Sequence, residues 1–272
     1  MPAEGDEMHS LNAPARDDAA EMAAAVLDRL RSRAPRVHCV TNAVAQNFTA
    51  NVLLAAGATP SMTLSPEEID AFVAHSDGLL VNLGTFDRER REATLIAIEA
   101  AAKHGLPWLL DPVFVDRSAP RAAFASDMVA LGPKVVRLNY AEFSALAGEP
   151  PTNEAVAACA RAKKVVVGLS GETDVVTDGV RLATIANGHP LMAKVTAMGC
   201  AVSALTVACL AVEPDAWRAT VAGLVIGGVA GQLASAKAGG PGSFAVAILD
   251  EFHTLDGPTL IAHARIQIAK AK

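Results

Sequence analysis

The chain has 272 residues, a net charge of −6, 51% hydrophobic residues and only 4% aromatics. That length admits one large domain or two modest ones, and without a Lys/Arg block the chain lacks the clustered cations that nucleic acid demands of a main partner. The four cysteines, Cys39, Cys159, Cys200 and Cys209, form no CxxC pair, which argues against a zinc site or disulfide scaffold and fits a reduced cytoplasm.

The first twenty residues are acidic and lack an apolar core, so residues 1–20 read as a frayed tail rather than a secretory signal. Residues 21–272 are then expected to form a single domain. Short apolar runs that end in polar residues follow, most of them leading into a helical pattern. "VHCVTN" precedes "NFTANVLLAAGA", "GLLVNLGT" precedes "DRERREATLIAIEAAAKHG", and "PWLLDP" ends at Asp111 and Pro112. "VVRLN" precedes "YAEFSALAG", and "KKVVVGLSG" follows "NEAVAACARA". The runs do not alternate cleanly, as expected of strands covered on both faces. Strand-then-helix recurrence predicts an α/β fold with a mainly parallel central sheet between helices. "DVVTDGVRLATI" carries an Asp-Gly turn between two β-rich runs and reads as a hairpin.

Ligands of open α/β sheets bind beyond the carboxyl ends of the strands. The polar residues closing each run, Asn42, Asn82, Asp111, Asn139 and Ser170, are therefore expected to crowd one edge. After Thr196 helices dominate. Val195–Val212 and Ala219–Ala236 carry no charge and are long enough for membrane spans. Their Thr, Ser, Gln, Gly and Ala content is unlike an inserting segment, so both are expected to be buried helices of a protein without a membrane partner.

"VTAMGC" runs into the first of these helices, so backbone N–H groups and a positive helix end meet there and can hold a phosphate or a developing anion. Cys200 would feel the same field, which lowers a thiol pKa; the plainer reading is a buried cysteine acting as a small hydrophobe. In "RLNYAEF", Arg137 can pair with phosphate through its fork, and Glu142 can hold a hydrated magnesium. The same stretch also reads as a helix start with Asn139 as N-cap and Glu142 as its capping-box partner. Asp111 is a metal or water ligand, or a turn former before Pro112. Ser170 in "LSGETD" and the loop "AGGPGSF" admit both a ligand contact and a plain connection, and Met62 by itself reads as core. No GxxxxGK[ST], GxGxxG or GxSxG is present, which removes P-loop chemistry and weakens dinucleotide and hydrolase readings.

In order, the stretches "VHCVTNAVAQNFTANVLLAAGATPSM", "GLLVNLGTF", "LPWLLDPV", "VVRLNYAEF", "VVVGLSGETDVV", "NGHPLMAKVTAMGCAVSAL" and "VAGQLASAKAGGPGSF" resemble the hydroxyethylthiazole kinase family of the ribokinase-like superfamily. The resemblance implies a ribokinase-like three-layer sandwich and a thiamine-salvage kinase. Such an enzyme moves the ATP γ-phosphate, with Mg²⁺, to the primary hydroxyl of 4-methyl-5-(2-hydroxyethyl)thiazole. It also implies a homotrimer with active sites between subunits. Carried over by position, Met62, Asn42, Val44 and Ala197 line the thiazole pocket, while Arg137, Ser170 and Asn139 face ATP. Asp111 and Glu142 organise the metal and triphosphate. Ala197–Cys200 form the anion hole, in which Gly199 and Cys200 are the catalytic pair. Two departures stand out. Ala197 and Met198 replace a glycine and a small residue common in the family, and the glycines common after "DPV" are missing from "DPVFVDRSAP". A side chain at position 197 is tolerable only where the backbone does not need positive φ. Two alternatives share the fold: a dehydratase that repairs hydrated NAD(P)H, and a non-catalytic thiazole- or nucleotide-binding protein.

Overall fold

The structure is a computed structural model that describes residues 13–271. Its elements run α1 (Ala13–Arg33), β1 (Arg36–Val40), α2 (Gln46–Ala56), β2 (Thr59–Ser61), α3 (Ile69–Ala74), β3 (Gly78–Asn82) and α4 (Arg88–His104). Next come β4 (Trp108–Asp111), α5 (Ala119–Ala130), β5 (Val135–Asn139), α6 (Tyr140–Ala147), α7 (Asn153–Lys163), β6 (Val166–Ser170), β7 (Asp174–Thr177) and β8 (Arg181–Ile185). The chain ends with α8 (Met198–Leu210), α9 (Ala216–Lys237), α10 (Pro241–Thr254), α11 (Gly257–His263) and β9 (Ile266–Lys270).

All nine strands form one sheet in the order β2-β1-β3-β4-β5-β6-β7-β8-β9. The pairs from β2 through β6 are parallel, and β6 to β9 form an antiparallel meander. β3 and β4 are buried at every position, so neither face can alternate with polar residues. Two apolar cores flank the sheet. One gathers side chains of α1, α2, α8, α9 and α10, and the other those of α3, α4, α5, α6 and α7. The expected α/β sandwich with helices on both faces is thus observed.

The two uncharged segments become α8 and α9, which pack on each other in the first core. Of the most apolar stretch of α9, 78% is buried within the fold, which accounts for its hydrophobicity. The small residues have a steric purpose here. A Cβ on Gly223 of α9 would lie 2.6 Å from Thr206 Oγ1 of α8, so only glycine permits this approach.

Three features depart from the expectations. The first twelve residues of the expected tail lie outside the described residues, but residues 13–20 belong to α1, where Ala19 and Ala20 are 2% and 3% exposed. Residues 13–20 thus belong to the fold and not to a tail, because alanines there join the core. β2 and β9 were not anticipated: β2 is three residues long and contains Pro60, and β9 is exposed at four of five positions. Both are edge strands, which need a partner on one side only and so carry weak apolar signatures.

Candidate active site

Parallel register brings the strand ends together. Asn82 stands opposite Asp111 in the β3–β4 pairing, and Asn139 opposite Ser170 in β5–β6. Asn42 follows β1 and joins the same edge through the Asn82 side chain. The edge anticipated from the pattern is therefore real.

From it extends a continuous buried hydrogen-bond chain. Asn42 Nδ2 donates to Asn82 Oδ1 (2.9 Å) and to Cys200 Sγ (3.3 Å). Asn82 Nδ2 donates to Asp111 Oδ2 (2.7 Å), which also accepts from Ser203 Oγ (2.9 Å). Arg137 Nη1 donates to Ser203 Oγ (3.2 Å) and to the Gly199 carbonyl (3.0 Å). Asn42, Asn82, Asp111, Arg137 and Ser203 are all buried, and each needs these partners because unpaired polar groups are costly away from water.

The start of α8 lies at the end of this chain. Its N-cap is Ala197, with φ 72° and ψ 1°, and no side chain caps the first turn. Among the described residues the amides of Gly199 and Cys200 have no hydrogen-bond acceptor, so they are free to donate to an anion at a positive helix end. The positive φ that would penalise a side chain is thus present at position 197. Phe114, in the segment where the family's glycines are missing, is left-handed too, with φ 62°. Two non-glycine residues therefore hold glycine-like backbone beside one site, where such strain concentrates.

Electrostatics corrects one expectation. Burial, and then the Asp111 carboxylate, push the Cys200 thiol up to about 11, rather than down as its position on the helix suggested. Burial also raises Asp111 and Glu142, against the pull of Arg137 on both.

Glu142 has both carboxylate oxygens engaged. Oε2 accepts from the Asn139 amide (2.9 Å) and Oε1 from the Phe114 amide (3.0 Å), while Asn139 Oδ1 accepts from the Glu142 amide (3.0 Å). The capping box is present, and it occupies the Oδ1 of the Asn139 side chain that the resemblance turned toward ATP. Glu142 joins the loop after β4 to the loop after β5. Asp111 differs: Oδ1 accepts no hydrogen bond from the described residues, leaving an oxygen available to a cation.

A cleft of about 830 Å³ opens beside the start of α8, lined by Arg137, Ser170, Asn187, Met192, Gly199 and Leu224. This is the size of a small-molecule site, with apolar walls and a few polar groups. Ser170 thus reaches the cleft, although its hydroxyl donates back to the Leu138 carbonyl (3.3 Å). Asp174, also on the cleft wall, has its carboxyl raised by burial and opposed by Arg137. Met62 is half-buried against the core that contains α8, and Val44 is 71% exposed. A smaller cavity of about 360 Å³ lies among α5, α6 and α7 on the other face and contains none of these groups.

The hydroxyethylthiazole kinase family profile matches residues 27–257. The chain belongs to the hydroxyethylthiazole kinase family. Among relatives of this kinase family, a probable hydroxyethylthiazole kinase of Agrobacterium fabrum is 44% identical over 248 residues, covering 91% of this chain and 96% of its own length. A hydroxyethylthiazole kinase of Granulibacter bethesdensis is 43% identical, covering 88% and 92%. The solved hydroxyethylthiazole kinase of Pyrococcus horikoshii superposes with a TM-score of 0.88 at 34% identity, covering 92% of this chain and 99% of its own. The ribokinase-like fold extends to a Staphylococcus aureus pyridoxal kinase solved with AMP-PCP and pyridoxal (TM-score 0.64, 13% identity, 87% of this chain and 98% of its own).

Sequence reasoning missed Ser203, Asp174 and the cleft residues Asn187 and Met192 as site residues, and it used Asn82 only to mark the edge. Ser203 did carry a signal: it is one of two hydroxyls in a largely apolar helix, one turn after Gly199 and on the same face.

Proposed function

We propose that this chain transfers the γ-phosphoryl group of ATP to the primary hydroxyl of 4-methyl-5-(2-hydroxyethyl)thiazole, as a thiamine-salvage kinase of the cytoplasm. The observation that carries the reading is the convergence of the free Gly199 and Cys200 amides with Asp111 and Arg137 through one buried network. Phosphoryl transfer is largely a matter of positioning and charge stabilisation, and this edge supplies both.

ATP fits the cleft by size and lining. In it Arg137 and Ser170 face the nucleotide, and the Gly199 and Cys200 amides donate to oxygens on which charge develops. The free Asp111 oxygen suits a hydrated magnesium, which takes one or two carboxylates plus phosphate oxygens. Among the described residues no group of three or more His, Cys, Asp or Glu forms a protein-only cage, so phosphate oxygens and water would have to complete the shell. When bound, Mg²⁺ would neutralise charge on the triphosphate. Glu142 acts from one step back, fixing the loops that follow β4 and β5.

Asn42 holds the Cys200 sulfur and, with Met62, Val44 and Ala197, borders the thiazole. The exposure of Val44 beside Asn42 suits a pocket wall completed by a second subunit, in keeping with a homotrimer whose sites lie between copies. Free cysteines at all four positions suit a reducing compartment.

The test is to incubate purified protein with ATP, Mg²⁺ and a panel of thiazole and pyrimidine alcohols and identify the product by mass. A thiazole monophosphate with matching ADP release is expected. ADP release that requires added hydrated NAD(P)H instead of a thiazole alcohol would point to dehydratase chemistry, and tight binding without product to a non-catalytic protein.

A further inference from the structure

We infer that Ser203 is a positioning residue for the reaction: its one hydroxyl fixes the Asp111 carboxylate, the Arg137 guanidinium and the start of α8 relative to one another. The inference rests on the kinase reading above and deepens it.

The three parts come from separate places in the chain. Asp111 ends β4, Arg137 lies on the neighbouring β5, and Gly199 opens α8. No hydrogen bond joins Asp111 directly to Arg137; Ser203 Oγ stands between them, 2.9 Å from Asp111 Oδ2 and 3.2 Å from Arg137 Nη1. Chemistry fixes the direction of both bonds. A guanidinium only donates and an ionised carboxylate only accepts, so the hydroxyl donates to Asp111 and accepts from Arg137. No rotation of the hydroxyl satisfies both partners another way, and Ser203 is 0% exposed, leaving no route for water to substitute.

The neighbouring hydroxyl of α8 provides a contrast. Thr206 Oγ1 donates back to the Val202 carbonyl 2.8 Å away within its own helix, the usual outlet for a buried helical hydroxyl. Ser203 spends its proton across the fold instead, on a residue 92 positions away. The same Arg137 nitrogen that meets Ser203 also holds the Gly199 carbonyl at 3.0 Å. The amide that receives the phosphoryl charge is thereby keyed to the carboxylate that faces the cation.

Removing the hydroxyl leaves each partner one remaining bond, Asp111 to Asn82 and Arg137 to Gly199. The fold should survive while the relation between the two charged groups slackens, and a small misplacement of reacting groups is costly in rate.

The experiment compares Ser203→Ala, Ser203→Thr and Ser203→Cys with wild type. Steady-state kinetics are measured with ATP and hydroxyethylthiazole, calorimetry with a non-hydrolysable ATP analogue, and thermal melts on each protein. For Ser203→Ala, kcat should fall about ten- to a hundredfold while KM for the thiazole stays within about twofold. Ser203→Thr, which keeps the hydroxyl, should recover most of the rate, and Ser203→Cys, a weak donor, should not. A kcat for folded Ser203→Ala within about twofold of wild type would overturn the inference, as would threonine failing to rescue a folded protein. If Ser203→Ala does not fold, Ser203→Cys at full rate overturns it. If the wild type makes no thiazole phosphate, the proposed function falls, yet analogue affinity still reads Ser203. It should be at least about fivefold weaker in Ser203→Ala, and unchanged affinity refutes the role.

Discussion

The Asn82 amide, opposite Asp111 in the β3–β4 register, donates to the Asp111 carboxylate over 2.7 Å while its carbonyl oxygen accepts from Asn42. One side chain thus joins Asn42, which the proposed function sets beside the thiazole, to Asp111, the carboxylate it assigns to the cation. Asn82→Ala removes a donor from a buried anion and an acceptor from Asn42, each worth about 1–3 kcal/mol when left unmet. Asp111 keeps Ser203 and Asn42 keeps Cys200 as partners, so urea unfolding should show a total loss of about 1–3 kcal/mol, and kcat should drop by about tenfold or more. Asn82→Asp should be worse, since it sets two carboxylates side by side. A variant with wild-type turnover would remove Asn82 from the machinery.

Backbone strain gives a second prediction. Ala197 and Phe114 occupy left-handed backbone at φ 72° and 62°, a conformation costing a non-glycine residue about 1–2 kcal/mol. Glycine returns part of this in lost unfolded-chain restriction, about 0.4–1 kcal/mol. The net expectation for Ala197→Gly and for Phe114→Gly is a gain of about 0.5–1 kcal/mol in unfolding free energy, read as a raised urea midpoint with unchanged slope. Phe114 is 56% exposed, so little buried area is lost with the ring. A loss of stability in both variants would mean that their side chains contribute more than their backbones cost.

These strained positions also mark how much the sequence could reveal. The parallel strands were legible because each is an apolar run closed by a polar residue, and the common register that aligns such runs also aligns Asn82 with Asp111 and Asn139 with Ser170. α8 and α9 were legible as buried helices because their lack of charge came with small residues that permit close packing. The missing glycines of "DPVFVDRSAP" were visible, but not that Phe114 would adopt the glycine conformation itself. Ser203 showed only as a hydroxyl in an apolar helix, and Asp174 not at all, because what they do depends on a bond across 92 residues and on the nearby Arg137 charge. Of the two readings of Cys200, the field-lowered thiol fails because the helix start is a local feature, whereas burial and the Asp111 charge come from the fold and favour the buried cysteine. Capping chemistry at Asn139 and Glu142, being local, was read correctly.

His38 makes stability depend on pH. It is fully buried on β1, its ring nitrogens 2.8 Å from Ser61 Oγ and 3.1 Å from the Thr63 carbonyl, and burial lowers its pKa to about 4. Those contacts hold the Ser61–Thr63 segment that carries Met62. The unfolded chain takes up this proton near its ordinary value of about 6.5, so the stabilising contribution is present above that pH. It is lost as pH falls toward 4, for a total of about 3 kcal/mol. Asp111 and Glu142, raised by burial, have the opposite sign: their contribution is present below the unfolded carboxyl value and lost as pH rises through the folded one. The difference between wild type and His38→Gln isolates the imidazole. Urea titrations between pH 7 and pH 4 should show a flatter acid limb in the variant (about 3 kcal/mol less loss). Parallel curves would mean that another group dominates.

The environment of Cys200 sets limits on what its thiol can do. With the thiol near 11, only about one molecule in a few thousand is a thiolate at pH 7.5. A neutral thiol is a poor base, so under the proposed function most of the rate would come from the Gly199 and Cys200 amides, the Asp111–Arg137 network and a cation held at Asp111. If the thiolate takes the proton of the attacking hydroxyl, wild-type kcat should rise about tenfold per pH unit from 7 toward 10. Cys200→Ala should then be slower and flat across that range. Cys200→Asp, which offers a carboxylate ionised at neutral pH, should match or exceed wild type and lose the alkaline rise. Equal turnover for Cys200→Ala and wild type at every pH would take the sulfur off the proton path and leave it as a packing partner of Asn42, with the amides of α8 performing the stabilisation unaided.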